Sequence, residues 1–292
     1  MRLLTQELLN LLNVQQIDHA LFQGQTNQLF GSHLFGGQIL AQALIAASKT
    51  TERPAHSLHA YFIRSGRTDL PILFKVENLR DGSSFSARQV YALQEGKVIF
   101  SAMLSFALPE QGLEYQIDAP HYPHPESLVA EQQHKLAIYD DVPPKHRDIF
   151  MQQFNVLIHP VEFSNPFRPQ KADTQYAEYF RSFDKIEGEL DTIAMHQAIA
   201  AYYSDYNLLT TSLRPHGVSY ANGGVRSASL DHTLHFHHHF RVDEWMLYDM
   251  YATRSSQSRG LNFGEMWQNG TLVCSISQES LMRQRTVRTN EP

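Results

Sequence analysis

Three residues of this chain are polar groups whose settings invite a chemical reading. Asp205 follows Tyr202, Tyr203 and Ser204 at the end of a run, Ile193 to Tyr203, that is apolar almost all round and predicts a buried helix. A carboxylate there faces the negative end of the helix macrodipole, and partial burial acts in the same direction, so its pKa should rise toward that of a general base. The plainer alternative is a solvent-facing Asp at a helix-to-loop junction. Gln278 alternates with Leu272, Cys274 and Ile276 on the apolar face of the last predicted strand. Burying an amide without a hydrogen bond costs roughly 1–3 kcal/mol, so Gln278 either meets polar partners inside or reaches solvent from the strand end. Ser229 offers a hydroxyl, but strict alternation sets it opposite Leu230, Leu234 and Phe236 and leaves its facing open.

Other reactive groups are weaker candidates. The stretch from Ser229 to His239 holds five histidines. In an extended strand His235, His237 and His239 share one face, with His232 and His238 on the other. No cysteine or helical HExxH accompanies them, so they read as surface and core histidines and no metal is expected. Gly36-Gly37-Gln38 opens a second buried helix; its glycines either present backbone N–H groups to a carbonyl oxygen or phosphate, or only permit close packing. Cys274, the single cysteine, can form no internal disulfide and reads as an inert buried thiol. The chain has no GxGxxG, GxxxxGK[ST] or GxSxG motif, which leaves a serine-hydrolase triad without an anchor.

The elements that must position these groups occur twice. Gly36 to Ser48 is a helix apolar on more than one stripe, followed by strand patterns at His56–Ile63, Ile72–Leu79, Phe85–Leu93 and Val98–Leu108. A Pro-rich stretch from Pro109 to about Pro160 reads as a linker with helices near Pro125–Leu136 and His146–Phe154. The pattern then returns: the helix Ile193–Tyr203, and strands at Leu230–Phe236, Trp245–Thr253, Arg259–Trp267 and Leu272–Leu281. Glu95-Gly96 and Asn269-Gly270 mark the last hairpin of each half. A Ser-Arg strand start (Ser86-Ala-Arg88, Ser258-Arg259) also recurs, and the order as a whole indicates an internal duplication of a helix wrapped by an antiparallel sheet.

Composition sets the outer limits. With 292 residues, 42% hydrophobic and 18% charged, the chain suits two domains or one large core and is not a disordered one. Its net charge of −6 gives no diffuse basic field for nucleic acid. There is no run of 18 apolar residues and no signal-like N-terminus, so stable membrane insertion is not expected and a cytoplasmic location is. Leu8, Leu9, Leu11 and Leu12 predict an amphipathic helix at the start.

Phe35-Gly-Gly-Gln38 with Ala41-Gln-Ala-Leu44, His56-Ser-Leu-His-Ala-Tyr-Phe62, Leu79-Arg-Asp-Gly82, Ser84-Phe-Ser-Ala-Arg88, Ser204-Asp205, Leu230-Asp-His232, Ser258-Arg-Gly260 and Gln278-Glu279 together resemble the type II acyl-CoA thioesterases, the TesB family, in collinear order from about Leu21 to Arg283. The resemblance implies an α+β double hotdog fold. The expected division is an N-terminal hotdog domain over 1–109, a linker with short helices over 110–154, a C-terminal hotdog domain with the catalytic residues over 155–285, and a tail over 286–292. It also implies hydrolysis of fatty acyl-CoA, broadly of medium to long chains, by a water held among Asp205, Ser229 and Gln278, with no covalent intermediate, cofactor or metal. The first buried helix ends in Lys49 where the base would stand, so the first half is expected to be structural. Gly37, Gln38, His59 and His232 are weaker substrate-binding candidates. His235, His238 and His239 depart from the family pattern, in which Trp precedes Phe-His-Arg-Pro. A non-catalytic acyl-CoA-binding protein and a hotdog dehydratase are the competing readings, and a homodimer or homotetramer is expected because such sheets leave open faces and edges.

Overall fold

The computed structural model describes residues 2–29, 31 and 33–284; the tail expected over 286–292 lies outside these. Helix α1 (Arg2–Leu12) buries Leu8, Leu9, Leu11 and Leu12, as its spacing predicts. Helix α2 (Gly36–Ser48) has small or apolar residues at nearly every position and is buried from Gly37 to Ala47. It can be so only because other elements surround it on all sides. Helix α5 (Ile193–Ser204) is the corresponding helix of the second half, buried from Met195 to Ser204 and packed against α2.

Around these helices runs one antiparallel sheet of thirteen strands. The first half contributes β1 (Gln15–Asp18), β2 (Leu21–Gly24), β3 (Ala55–Phe62), β4 (Ile72–Asp81), β5 (Phe85–Gln94) and β6 (Lys97–Ala107). The second contributes β7 (Leu157–Pro160), β8 (Tyr176–Arg181), β9 (Val225–Ser229), β10 (Asp231–Phe236), β11 (Met246–Ser256), β12 (Arg259–Gln268) and β13 (Thr271–Gln284). The order is β1-β2-β4-β5-β6-β3-β10-β13-β12-β11-β8-β7, with β9 also on β13. The halves therefore meet at β3 and β10, where Ala60 faces His232 and Leu58 faces Leu234.

The duplication is exact to the residue across four strands. A constant offset of 174 positions carries the pairs Leu58–Leu104 and Arg88–Leu104 of the first half toward His232, Gln278 and Asn262 of the second. It also carries the irregularity between Asn78 and Arg80 onto that between Ala252 and Arg254, and the one between Ala92 and Leu93 onto Met266 and Trp267. Both closing hairpins turn through positive φ at the equivalent pairs Glu95-Gly96 and Asn269-Gly270. This register corrects one sequence expectation: the Ser-Arg strand starts are not equivalent, since Arg88 aligns with Asn262 and Ser258-Arg259 with Ser84-Phe85.

Three further features differ from the sequence reading. Strands β1, β2, β7, β8 and β9 were not visible in it, being four to six residues long and too short for a clear period. The helix expected over Pro125–Leu136 is a 3₁₀ turn (Pro125–Ser127) and α3 (Glu131–Ala137), interrupted where Leu128 and Ala130 are extended. The next is only α4 (Arg147–Met151), preceded by a 3₁₀ turn. The linker is therefore folded onto the second half: His159 Nδ1 lies 2.7 Å from the Pro125 carbonyl, and Trp245 Nε1 donates to Glu126.

Candidate active site

The last residue of α5 is Ser204, and Asp205 is its C-cap. The side chain of Asp205 turns away from its own helix toward the N-terminus of α2. Gly37 N–H donates to Oδ2 at 3.0 Å, and Ser229 Oγ donates to Oδ1 at 2.9 Å. The two glycines make the approach possible. A Cβ on Gly37 would overlap the Tyr202 carbonyl oxygen, and one on Gly36 would lie 2.5 Å from Asp205 Oδ2. The close-packing reading of these glycines therefore holds, while the Gly37 N–H goes to the carboxylate of this chain rather than to a carbonyl oxygen or phosphate of a ligand.

Asp205 keeps a little exposure but is closely surrounded, and desolvation lifts its pKa to about 7 against the opposing pull of the Ser229 and Gly37 hydrogen bonds. Each carboxylate oxygen has one protein donor and a free lone pair. Such a group is poised to take a proton near neutral pH.

Ser229 reaches the site because the strand is broken beside it. β9 ends at Ser229 and β10 begins at Asp231, with Leu230 donating its N–H to the Glu279 carbonyl between them. The break removes the strict alternation that had left the facing of Ser229 open. In the first half the same irregularity falls between Ala55 and Ser57.

Gln278 is wholly buried on the inner face of β13, with Cys274, Ile276 and Ser280. Leu272 does not share that face but packs in a separate cluster with Trp267 and Leu247. The amide has the partners its burial demands. Its Oε1 lies 2.6 Å from His232 Nδ1, and its Nε2 donates to Ser280 Oγ at 3.1 Å. An amide oxygen only accepts, so His232 carries its proton on Nδ1, and its bare Nε2 faces the Ser204 hydroxyl at 2.8 Å. Burial holds His232 near a pKa of about 4, hence neutral. Asn262 Nδ2 donates to Ser280 Oγ, and Thr211 Oγ1 donates to Asn262 Oδ1, completing a buried polar chain from β12 to the residue before Asp205.

Two buried acids brace the turn that carries Asp205. Glu178 of β8 accepts from Tyr203 Oη at 2.6 Å and from Asn207 Nδ2 at 3.0 Å, and burial pushes its pKa to about 8. Glu131 of α3 accepts from Tyr206 Oη at 2.6 Å and pairs with Lys135 at 2.9 Å. None of Glu131, Glu178, Ser280 or Asn262 stood out in the sequence. Ser280 had a signal, being two positions beyond Gln278 on the same strand; Glu131, in the linker, had none.

Of the weaker candidates, Gly37 and His232 contact Asp205 and Gln278, while Gln38 and His59 lie apart from them. Gln38 is buried and donates to the Gln25 carbonyl. His59 is exposed, its ring edge-on to that of His235 with centroids 5.2 Å apart, and takes no part in the carboxylate site. His232 is held at both nitrogens, so it touches substrate only through other groups. β10 ends at Phe236, which leaves His237, His238 and His239 beyond the strand; His237 pairs with Ser275 and His238 with the His239 carbonyl. The one-face arrangement of His235, His237 and His239 is thus not formed, and among the described residues no group of three His, Cys, Asp or Glu is placed to hold a metal ion. Cys274 is buried, and its thiol is pushed up by desolvation. Among the described residues no helix is long and apolar enough to cross a membrane.

Two helices buried back to back inside a duplicated antiparallel sheet, with a raised carboxylate between them, define a double hotdog protein equipped for acid–base chemistry. Comparison with known proteins gives the family. The family described as acyl-CoA thioesterase matches residues 145–281, and that described as acyl-CoA thioesterase N-terminal domain matches residues 26–107. Acyl-CoA thioesterase 2 of Haemophilus influenzae is 33% identical, over 94% of this chain and 96% of its own. Human acyl-coenzyme A thioesterase 8 is 37% identical, over 93% and 87%. The crystal structure of the acyl-CoA thioesterase II TesB2 from Mycobacterium marinum superposes with a TM-score of 0.77 at 31% identity, covering 96% of this chain and 99% of that one. The chain belongs to the type II acyl-CoA thioesterase family and hydrolyses acyl-CoA thioesters. The dehydratase domain of a curacin polyketide synthase module shares the fold alone, at 11% identity.

Proposed function

We propose that Asp205 is the general base of this thioesterase, that Ser229 and Gln278 complete the water site, and that the substrates are medium- to long-chain fatty acyl-CoA. The carrying observation is the Asp205 carboxylate, with a pKa of about 7 and one lone pair left on each oxygen. Asp205 takes a proton from a water, whose oxygen attacks the thioester carbonyl carbon. The tetrahedral intermediate collapses with cleavage of the C–S bond, and the proton held by Asp205 passes to the departing CoA thiolate. A thiolate leaves readily, so positioning and one base suffice. Ser229 fixes Oδ1. Gln278 keeps one amide hydrogen beyond that given to Ser280, and this is the donor we assign to the water.

Both alternatives are less well supported. A dehydratase would need His232 as an acid or base, yet both its nitrogens are engaged and it is held neutral. A non-catalytic binding protein would not need a carboxylate with this pKa. We place the domain limits at 1–109, 110–154 and 155–285, and the protein in the cytoplasm as a homodimer or homotetramer. Exposed Tyr61, Phe85 and Met103 on the sheet support self-association, which light scattering on the eluted protein would settle.

The deciding experiment is release of free CoA from a series of acyl-CoAs by wild type and Asp205→Asn. The expected loss in kcat is about 10²-fold or more. A variant with near-wild-type turnover would remove Asp205 from the mechanism.

A further inference from the structure

The segment between the halves helps to build a cavity. Helices α3 and α4, the loop after β7 and the turn after α5 line a cavity of about 990 Å³, at the upper end of the roughly 300–1,000 Å³ usual for small-molecule sites. Its walls include Phe150, Phe163, Phe167, Leu213 and Val218. Phe150 and Phe167 meet edge-on with centroids 5.0 Å apart, and Phe163 stacks on His134 at 4.6 Å, so the walls are already packed into shape.

One side of this cavity adjoins the site. Tyr206 and Asn207, the residues after Asp205, line it, as do Leu29 and His33 from the loop that leads into Gly37. Tyr220 lines it too and lies near enough to Asp205 to feel its charge. Of the basic residues lining it, the two largely buried ones are already engaged, while Lys145 and His146 stand exposed at its mouth. Lys135 pairs with Glu131, and the largely buried Arg214 donates to the Asp173 carbonyl and pairs with Glu162. Its interior thus offers aromatic and aliphatic surface and, among the described residues, no free buried cation for a phosphate.

We propose that this cavity takes the acyl chain of the thioester, so that the segment between the halves selects which acyl groups are hydrolysed. The inference rests on the Asp205 site described above. With the carbonyl beside Asp205, the chain runs between Tyr206 and Phe150 toward α4. The CoA portion remains at the mouth of the cavity, where the lining residues Lys145 and His146 are exposed.

Two variants that change the cavity in opposite directions test this. Val218→Trp fills it and Phe150→Ala enlarges it; kcat/KM is measured for palmitoyl-CoA, butyryl-CoA and a branched acyl-CoA, together with inhibition by free CoA. The expected result is a fall of about tenfold or more in the palmitoyl-to-butyryl ratio for Val218→Trp, and a shift toward the branched substrate for Phe150→Ala. Unmoved ratios with weakened CoA inhibition would assign the cavity to CoA and overturn the proposal. So would unmoved ratios and unmoved inhibition. Should Asp205→Asn stay active while the ratios shift, the base assignment fails and the acyl cavity stands, which keeps the two failures distinct.

Discussion

The C-terminal ends of α2 and α5 are equivalent positions of the duplicated fold, and they carry opposite charges. After Ser48 comes Lys49, which reaches out to Asn13 Oδ1 and the Val14 carbonyl; after Ser204 comes Asp205, held by Gly37 and Ser229. The surroundings differ in the same sense. Where the second half has Ser229, His232, Gln278 and Ser280, the first has Ala55, Leu58, Leu104 and Phe106, all buried and apolar. Where the second half has Asn262, the first has Arg88, whose buried guanidinium donates to the Thr50 hydroxyl and carbonyl, to Asn78 and to Asp81. One half closes its helix end with hydrocarbon and a guanidinium; the other keeps a neutral hydrogen-bonded chain next to a carboxylate. The comparison shows that a single scaffold supports either an apolar surround or a polar, hydrogen-bonded one at the helix end, decided by about six equivalent side chains.

Among exchanges between the halves, the largest expected effect comes from imposing the first half's chemistry on the second. His232→Leu/Gln278→Leu copies Leu58 and Leu104, and kcat for a long acyl-CoA should fall about 10²-fold. Removing both polar partners together should leave thermal stability near neutral pH little changed. The same variant should lose an acid-sensitive limb. His232 has a folded pKa of about 4, below its ordinary value, so protonation favours the unfolded state, and wild-type stability should drop as pH falls from about 6.5 to 4. Unfolding midpoints across that range check both statements.

Arg88→Met breaks the comparison from the other side. It leaves Asn78 and the Thr50 carbonyl without their donor, and should cost about 3 kcal/mol in denaturant unfolding. Turnover per folded molecule should be unchanged, because Arg88 belongs to the half without the base. A fall in kcat of the folded enzyme would mean that the first half shapes the site beyond the Gly37 contact.

Ser229→Ala matches Ala55 and should lower kcat by about tenfold. The Ser229 hydrogen bond lowers the Asp205 pKa, so its loss should move the rising limb of the pH–rate profile, near pH 7 in wild type, to higher pH. A limb that stays in place would separate Ser229 from Asp205. The smallest effect is expected of Lys49→Asp, which places a carboxylate at the equivalent helix end but supplies no hydroxyl or amide beside it; CoA release by this variant on an Asp205→Asn background should not rise above that background.

Most of this fold was legible in the chain. Helix α2 was readable to the residue because an apolar run with no polar stripe has no other stable setting, and the long strands showed their period because each has one buried face. The short edge strands were not, since four residues hold too few alternations. Within the site, Asp205 and Gln278 announced themselves as polar groups in apolar surroundings. Ser229 did not, because its facing depends on a break in the strand that pairing with β13 imposes.

What the sequence determined by itself was the duplication, the two buried helices and the identity of the family, all carried by local periodicity and motif order. What only the tertiary structure decided was the company each group keeps. The Gly37 N–H meets Asp205 across 168 positions of chain, Gln278 meets His232 across 46, and the linker's Glu131 meets Tyr206 across 75. Hydrogen bonding and desolvation act over a few ångströms of space and know nothing of distance along the chain, so the pKa of the carboxylate and the walls of the cavity exist only once the halves have closed on each other.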